Sequence, residues 1–380
     1  MPKKFSQKVR QRRLSKSTYW IFDIAHREKD FLAIIVILTL ICGLVAPHPR
    51  IAMWFGFALA SYSAIANDSI QTIGTFIASN AHRKWWHLWL FMGCIFVGTI
   101  TYSWVVYDGD VSYQRLAEKG FSEAPQTFSF FQLLAPVALL ILTRMHIPVS
   151  TTFLLLNIFA TDAEAVLGVL QKSLYGYGIA FVVAIAVWCT IAHFSNQYFR
   201  GKPGSGWMVL QWITSGLLWA VWLMQDASNI AVFLPRSLHI GELILFVSFI
   251  FLGLGLLFYL KGDRMQKLIN EKADMTDIRA ATLVDLVYML ILCYFKNINN
   301  VPMSTTWVFI GLLGGRELAI SLMKQDVRKR DKALKKSRKF IRKDLRHAFI
   351  GLFISIILAI SVNPLIQEAV KTLWKGLWGQ

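Results

Sequence analysis

Two polar motifs occur twice inside apolar sequence, and this duplication limits the folds open to the chain more than any other feature. Residues 67–71 (Asn-Asp-Ser-Ile-Gln) are echoed by residues 225–229 (Gln-Asp-Ala-Ser-Asn), and residues 148–152 (Pro-Val-Ser-Thr-Thr) by residues 302–306 (Pro-Met-Ser-Thr-Thr). The offsets are 158 and 154 residues, so two halves of the chain repeat in register. Polar groups inside a bilayer are costly unless they are satisfied or used. A doubled set is therefore typical of a membrane protein whose internal repeats enclose a central site.

Composition places the chain in the membrane. Its 380 residues are 55% hydrophobic and only 16% charged, which excludes a soluble globular domain and predicts an all-α integral membrane protein. The four cysteines stand singly without a Cys-x-x-Cys spacing, so neither a disulfide framework nor a zinc site is predicted. The net charge of +18 lacks interleaved aromatic residues, so nucleic-acid binding is not predicted either.

Long apolar runs predict an initial membrane span and then five spans in each of two repeats. The initial span is predicted at 31–46, without a cleavage site behind it, so it is read as a retained helix. The repeat spans are predicted at 51–80, 85–107, 127–145, 148–170 and 174–195, and at 207–234, 240–261, 280–297, 302–322 and 348–366. The first span of each repeat is expected to be a broken helix, interrupted at 67–71 and at 225–229. Because five is odd, the second repeat enters the membrane from the opposite side, and the repeats are inverted.

The distribution of basic residues supports this topology. With a cytoplasmic N-terminus, 31 Lys and Arg residues fall in predicted inside segments and 8 in outside segments. A multi-pass protein of the plasma (inner) membrane is expected. Its basic segments either fix the orientation or also attract anionic lipid head groups. The predicted regions are a basic arm with the extra helix (1–50), repeat 1 (51–195), a cytoplasmic linker (196–206), repeat 2 (207–366) with a basic cytoplasmic loop (323–347), and an interfacial tail (367–380).

The Asp motifs predict a site for a coupling cation. A carboxylate deep in a span must be protonated or paired, and neighbouring carboxamides offer further oxygens. The predicted ligands are Asn67, Asp68, Gln225, Asp226 and Asn229. Two alternatives stay open, which are direct protonation of the Asp residues and a polar turn that caps two half-helices.

The Ser-Thr-Thr motifs predict an oxyanion site. Pro is tolerated in the first turn of a helix, where four backbone N–H groups lack intrahelical partners. Hydroxyl groups beside these N–H groups suit an anion. The predicted substrate-binding residues are Ser150, Thr151, Thr152, Ser304, Thr305, Thr306 and Gln71. Simple N-capping by Ser and Thr is the alternative.

At these residues the chain resembles the PiT family of inorganic phosphate transporters, in order and spacing over residues 51–366. That family carries a Gly-Ala-Asn-Asp type motif early in each repeat and a Pro-Val-Ser-Thr-Thr-His type motif later. The resemblance implies that Asp68, Asp226 and the adjacent amides bind the coupling cation and that the hydroxyls hold phosphate. Phe153 and Trp307 stand where the family has His. Ile65 replaces the first motif's Gly, and Gln71 and Gln225 replace Asn.

The expected function is cation-coupled symport of inorganic phosphate, with sodium or a proton as the coupling ion and no other cofactor. A permease for sulfate or another oxyanion is one alternative. A structural or regulatory membrane protein on a degenerate transporter fold is another. An enzyme is not expected, since no nucleophile and base stand at a suitable spacing. Membrane lipids are expected partners, and homo-oligomer formation is left open.

Overall fold

The computed structural model describes residues 28–118, 120–145, 147, 149–198, 203–260, 277–324, 326–363, 367–368, 371–372 and 375; side chains at 69–70 and 192–198 are also left undescribed. Most of the predicted basic arm and tail, part of the linker, and Pro148 lie outside these residues. The described residues form helices, turns and irregular segments without a strand. Six of the described helices are long and apolar enough to cross a membrane. The prediction of an all-α integral membrane protein is confirmed.

Ten α-helices are named here in chain order. They are α1 (Lys29–Val45), α2 (Pro49–Ser79), α3 (Trp85–Val106), α4 (Phe130–Arg144), α5 (Ala163–Tyr198), α6 (Ser205–Ala231), α7 (Ile240–Tyr259), α8 (Ile278–Ile298), α9 (Thr305–Leu322) and α10 (Val327–Val362). Between α4 and α5 lie a π-helical segment, Thr152–Leu156, and a 3-10 turn, Asn157–Phe159. Helices α1 to α4 and α6 to α9 coincide with predicted spans.

Two parts of the chain differ from the predicted spans. The predicted span 148–170 is not one helix, because the π-helical and 3-10 segments end at Phe159 and α5 then runs on for 36 residues. Helix α10 also has 36 residues and takes in most of the predicted basic loop 323–347. The Asp326 side chain caps its first turn by accepting from the Lys329 N–H. Lys, Arg and Leu are good helix formers, and the helix has no Gly or Pro before Gly351.

The helix interruptions predicted at 67–71 and 225–229 are wrong. Helix α2 runs unbroken through Asp68, and α6 runs unbroken through Asp226. Neither motif contains Gly or Pro, and the Asp and carboxamide side chains find partners on neighbouring elements rather than in their own backbone. The chain leaves helical geometry just before the Ser-Thr-Thr segments instead, at residues 147, 149 and 150 and at residues 299–304.

The packing pairs the helices of the two halves in a similar way. Helix α2 packs on α4 as α6 packs on α8, while α2 contacts α6 and α3 contacts α7. The loop between α3 and α4 covers one end of the bundle, called here the loop end. There the Thr161 N–H donates to the Gly120 carbonyl at 2.8 Å and the Leu238 N–H to the Gly109 carbonyl at 2.9 Å. The opposite end, with residues 80–84 and the start of α10, is called the basic end.

Helices α5 and α9 pack closely through small residues. A Cβ atom added to Gly311 would stand 2.5 Å from the Tyr177 carbonyl oxygen, which is backbone and cannot move aside cheaply. We expect Gly311→Ala to destabilise the protein by about 1–3 kcal/mol, the usual cost of overpacking. The thermal midpoint of the purified protein in detergent would measure this. Gly98→Ala is the control, since nothing lies within 4 Å of a Cβ there. Equal midpoints for the two variants would contradict the close packing.

Candidate functional site

The two motif aspartates lie buried between the two halves, and each binds the Ser-Thr-Thr segment of its own half. Asp68 is 1% exposed and Asp226 is 2% exposed. The Thr151 hydroxyl donates to the Asp68 carboxylate, and the Thr305 hydroxyl donates to Asp226 Oδ2 at 2.6 Å. The same contact therefore occurs once in each half, between residues at corresponding positions of the motifs.

The carboxamides three residues after each Asp connect the two halves. Gln71 Nε2 donates to Asp68 Oδ1 at 3.4 Å and to Thr306 Oγ1 at 3.5 Å. In the other half, Asn229 Nδ2 donates to Asp226 Oδ1 at 2.6 Å and to Thr152 Oγ1 at 3.3 Å. Each carboxamide thus links its own carboxylate to the last threonine of the opposite motif.

The last threonine of each Ser-Thr-Thr segment also contacts the residue that precedes the segment of the other half. Thr152 Oγ1 donates to the Met303 carbonyl at 3.1 Å, and Thr306 Oγ1 lies 3.5 Å from the Val149 carbonyl. Met303 and Val149 occupy corresponding positions, so this contact is repeated as well. The structure therefore brings the predicted substrate and cation residues, except the two serines and Gln225, into one hydrogen-bonded cluster built from both halves; the Gln225 amide donates to the Leu292 carbonyl instead.

The two serines of the motifs act as helix caps. The Ser150 hydroxyl accepts from the Phe153 N–H, and the Ser304 hydroxyl accepts from the Trp307 N–H, both at 3.2 Å. The capping alternative thus describes the serines, whereas the threonine hydroxyls bond to carboxylates and carbonyls. Four of the six hydroxyls are left facing the cluster.

Four carboxamide oxygens of the predicted site residues are buried without a hydrogen-bond partner. They are Asn67 Oδ1, Gln71 Oε1, Gln225 Oε1 and Asn229 Oδ1. Their orientation is fixed by the amide nitrogens, since Asn67 Nδ2 donates to Asp68 Oδ1 and to the Val149 carbonyl, and Gln225 Nε2 to the Leu292 carbonyl. Orphaned buried acceptors are rare because each carries a desolvation cost.

These oxygens, with two carboxylates, fit a hard monovalent cation, which takes oxygen ligands from carboxylates and carbonyls. A cavity of about 20 Å³ adjoins Asp226, between Trp222 and Phe246, but its surface is apolar, so it offers no ligands to a water molecule or an ion. No group of three His, Cys, Asp or Glu residues forms a metal cluster among the described residues. The cluster is thus suited to an alkali cation or a proton rather than to a transition metal.

Phe153 and Trp307, the residues that follow the two Ser-Thr-Thr motifs, pack against each other. Their ring centroids are 5.6 Å apart, and both side chains are buried. The contact joins the two motif segments through an apolar surface.

Arg115 is a site residue that the sequence does not reveal. The sequence places it in the loop between α3 and α4, yet its side chain is buried and donates to the carbonyls of Met224, Asn300 and Val301 at 3.0–3.1 Å. Burial lowers the pKa of Arg115 to about 10, so the guanidinium is still cationic at neutral pH. Lys172 binds the Val301 carbonyl at 2.6 Å. The basic side chains of Arg115 and Lys172 therefore bind the non-helical segment that leads into the second motif.

Comparison with known proteins gives one structural likeness. No protein-family model matches the sequence, and no curated protein matches it. A solved structure described as "The sodium-dependent phosphate transporter" is similar over 82% of this chain and 99% of that chain, with 18% sequence identity and a TM-score of 0.46.

Proposed function

We propose that this protein is a secondary active transporter that carries inorganic phosphate together with a coupling cation. One observation supports this most strongly. Two buried carboxylates and four threonine hydroxyls, contributed equally by the two halves, meet in one cluster with three orphaned carboxamide oxygens. Ionisable groups in a membrane interior are expensive and usually mark a transport pathway. Matched contributions from two halves are the pattern expected around a transporter's central site.

The contacts suggest how cation and anion binding are coupled. Thr151 and Thr305 donate to Asp68 and Asp226, so these hydroxyls are engaged by protein carboxylates and are not available to a substrate anion. A cation bound to the carboxylates and the orphaned amide oxygens would compete for the same oxygen lone pairs. The threonine hydroxyls would then be released to donate to an oxyanion. On this scheme the cation prepares the anion site, and neither ion binds tightly alone.

The choice of phosphate rests on donor and acceptor chemistry. Phosphate at neutral pH keeps a proton and can donate to Asp68, Gln71 or Asn229 while it accepts from the threonines. Sulfate only accepts and would be repelled by an ionised Asp. Neutral hydroxyl donors also suit an anion that must be released again, since a cluster of Arg side chains would hold it strongly. Arg115 contributes positive potential from one side while its own N–H groups stay on backbone carbonyls.

A protein that binds these ions without transporting them is the second candidate. The buried contact between Phe153 and Trp307 favours it, because it joins the two motif segments through an apolar surface where the PiT pattern has polar side chains. Transport requires the halves to move against each other, and this contact would have to open or travel with one of them.

Uptake into proteoliposomes tests the proposal. Purified protein would be reconstituted, and radiolabelled phosphate and sulfate uptake would be measured with an inward sodium gradient, with a proton gradient and with neither. We expect phosphate uptake that requires one of the two gradients, and weak sulfate uptake. Equal sulfate uptake would make the protein a general oxyanion permease. Sodium-dependent phosphate binding without uptake under any gradient would support the non-transporting candidate.

We further propose that the protein lies in the plasma (inner) membrane with a cytoplasmic N-terminus and the basic end facing the cytoplasm. The concentration of Lys and Arg residues in the first half of α10 supports this orientation. Lys335 would then be inside and Glu118 outside.

A further inference from the structure

A third buried aspartate lies outside the central cluster. Asp285 on α8 is fully buried and accepts from Thr75 Oγ1 on α2 at 2.6 Å and from the Ser215 hydroxyl on α6. No described Lys, Arg or His lies within ion-pair distance of its carboxylate. A carboxylate buried without a cation is costly in an apolar medium, so this one calls for a bound positive charge or a proton.

Hydrogen-bonding groups lead from Asp285 to the basic end. Ser79 lies one helical turn beyond Thr75, and Gln211 lies one turn from Ser215. Gln211 Nε2 donates to Ser79 Oγ at 2.6 Å, and Asn80 Nδ2 donates to Gln211 Oε1 at 2.8 Å. These groups are buried, but the chain becomes exposed at the residue that follows Asn80. Polar side chains, spaced by one helical turn, thus extend from the carboxylate to the end of the bundle.

This polar row has no counterpart in the other half of the protein. The repeat offsets place Phe57 opposite Ser215, Phe233 opposite Thr75 and Phe131 opposite Asp285. Phe57 and Phe233 are fully buried in the apolar core. Helix packing is therefore achieved with phenylalanine at the places equivalent to Ser215 and Thr75, whereas Phe131 is 46% exposed. The polar groups around Asp285 need a separate explanation.

The contacts of Asp285 fit a proton better than a sodium ion. In the central cluster three carboxamide oxygens are orphaned, as a cation site requires, whereas the oxygens of Asp285, Thr75 and Ser215 all have partners. A proton needs no vacant ligand position. A hydroxyl can donate to an ionised carboxylate and accept from a protonated one, so the same contacts serve both states.

Three basic residues on α8 and on the helices packed against it bind groups other than Asp285. Arg279 pairs with Asp277, Arg316 with Glu317, and Lys172 with residues 299–301. The other charged or titratable side chains described on these helices are Asp68, Asp226, Tyr288, Tyr177, Tyr175, Glu164, Lys296, Cys293, Cys189, Tyr294, Tyr62 and Arg50.

We propose that Asp285 is a proton-binding site that takes up and releases one proton at the basic end through Ser215, Thr75, Ser79, Gln211 and Asn80. In uptake, a proton from water at the basic end converts the carboxylate to a carboxylic acid, and release reverses this step. The site is distinct from the proposed phosphate and cation cluster and does not depend on its function.

Infrared spectroscopy of the purified full-length protein tests this directly, without phosphate or sodium. A pH titration should show the carbonyl band of a protonated carboxyl group that appears on acidification through the neutral range. Asp285→Asn should remove that band, and Asp331→Asn, a change at an exposed aspartate on α10, should leave it intact. Recording both in the Asp68→Asn/Asp226→Asn background removes the bands of the central cluster.

Two outcomes would overturn the proposal. One is a carboxyl band assigned to Asp285 that does not change with pH, and the other is the absence of such a band at every pH. If Asp285→Asn does not fold, Ser215→Ala and Thr75→Val carry the test. Each removes one hydroxyl donor from the carboxylate and should displace the midpoint of the band by about one pH unit. Unchanged midpoints in both variants would equally refute the proposal.

Discussion

Asp68→Asn and Asp226→Asn should each reduce cation-dependent phosphate uptake by roughly 100-fold or more. Each change removes a negative charge that would balance the cation, and loss of one partner of a buried charge pair typically costs about 3–5 kcal/mol. Asn has nearly the same shape as Asp and keeps one oxygen that can accept from Thr151 or Thr305. The protein should therefore still fold, which the elution profile in detergent and the thermal midpoint would verify.

The exposed Asp331→Asn variant is the matched control, and its uptake should equal that of the unmodified protein. If uptake in the unmodified protein follows a proton gradient and ignores sodium, the two carboxylates carry protons instead. If either Asn variant transports normally under every gradient, that carboxylate is a structural part of the helix packing and the cation site is placed wrongly.

Thr151→Ala and Thr305→Ala should each weaken phosphate binding by about 1–3 kcal/mol, the cost of leaving a buried partner without its hydrogen bond. The two variants should have similar effects, because each threonine makes the same contact with the aspartate of its own half. Phosphate binding at saturating sodium, measured by calorimetry, would give the change, and sodium binding in the same preparation should be retained.

Ser150→Ala and Ser304→Ala separate binding from capping. Since these serines accept from backbone N–H groups, their loss should lower stability by about 1 kcal/mol and leave phosphate affinity nearly unchanged. If the threonine variants bind phosphate normally, the Ser-Thr-Thr segments serve only to start helices and the proposed anion site is wrong.

The sequence was sufficient for most residues of the central cluster but not for its detailed geometry, since Ser150 and Ser304 cap helices instead. The offsets between Asp68 and Asp226 and between the two Ser-Thr-Thr motifs depend only on order along the chain, so they could be read directly. The continuity of the helices through the Asp motifs could not be predicted from the sequence, because it depends on whether polar side chains find partners outside their own helix. That question is decided by neighbouring elements that are distant in sequence.

Arg115 and Asp285 show the same limit. Arg115 stands in a loop with Gly and acidic residues, and nothing in its surroundings predicts that three backbone carbonyls will enclose it. Asp285 stands near the start of a predicted span, which predicts a carboxylate near the membrane interface. Its burial arises because Thr75 and Ser215 on two other helices face it.

The segments that follow the two Ser-Thr-Thr motifs differ in secondary structure, so the two halves are expected to differ in stiffness. After the second motif the chain continues as an 18-residue α-helix, but after the first it forms five π-helical residues and a 3-10 turn. Such segments have poorer hydrogen-bond geometry than an α-helix and deform more easily. The more deformable segment therefore belongs to the first half, and the stiffer α-helix belongs to the second. If the two halves move against each other, the change of shape would begin at residues 152–159, and movement of the first half would require less energy than movement of the second.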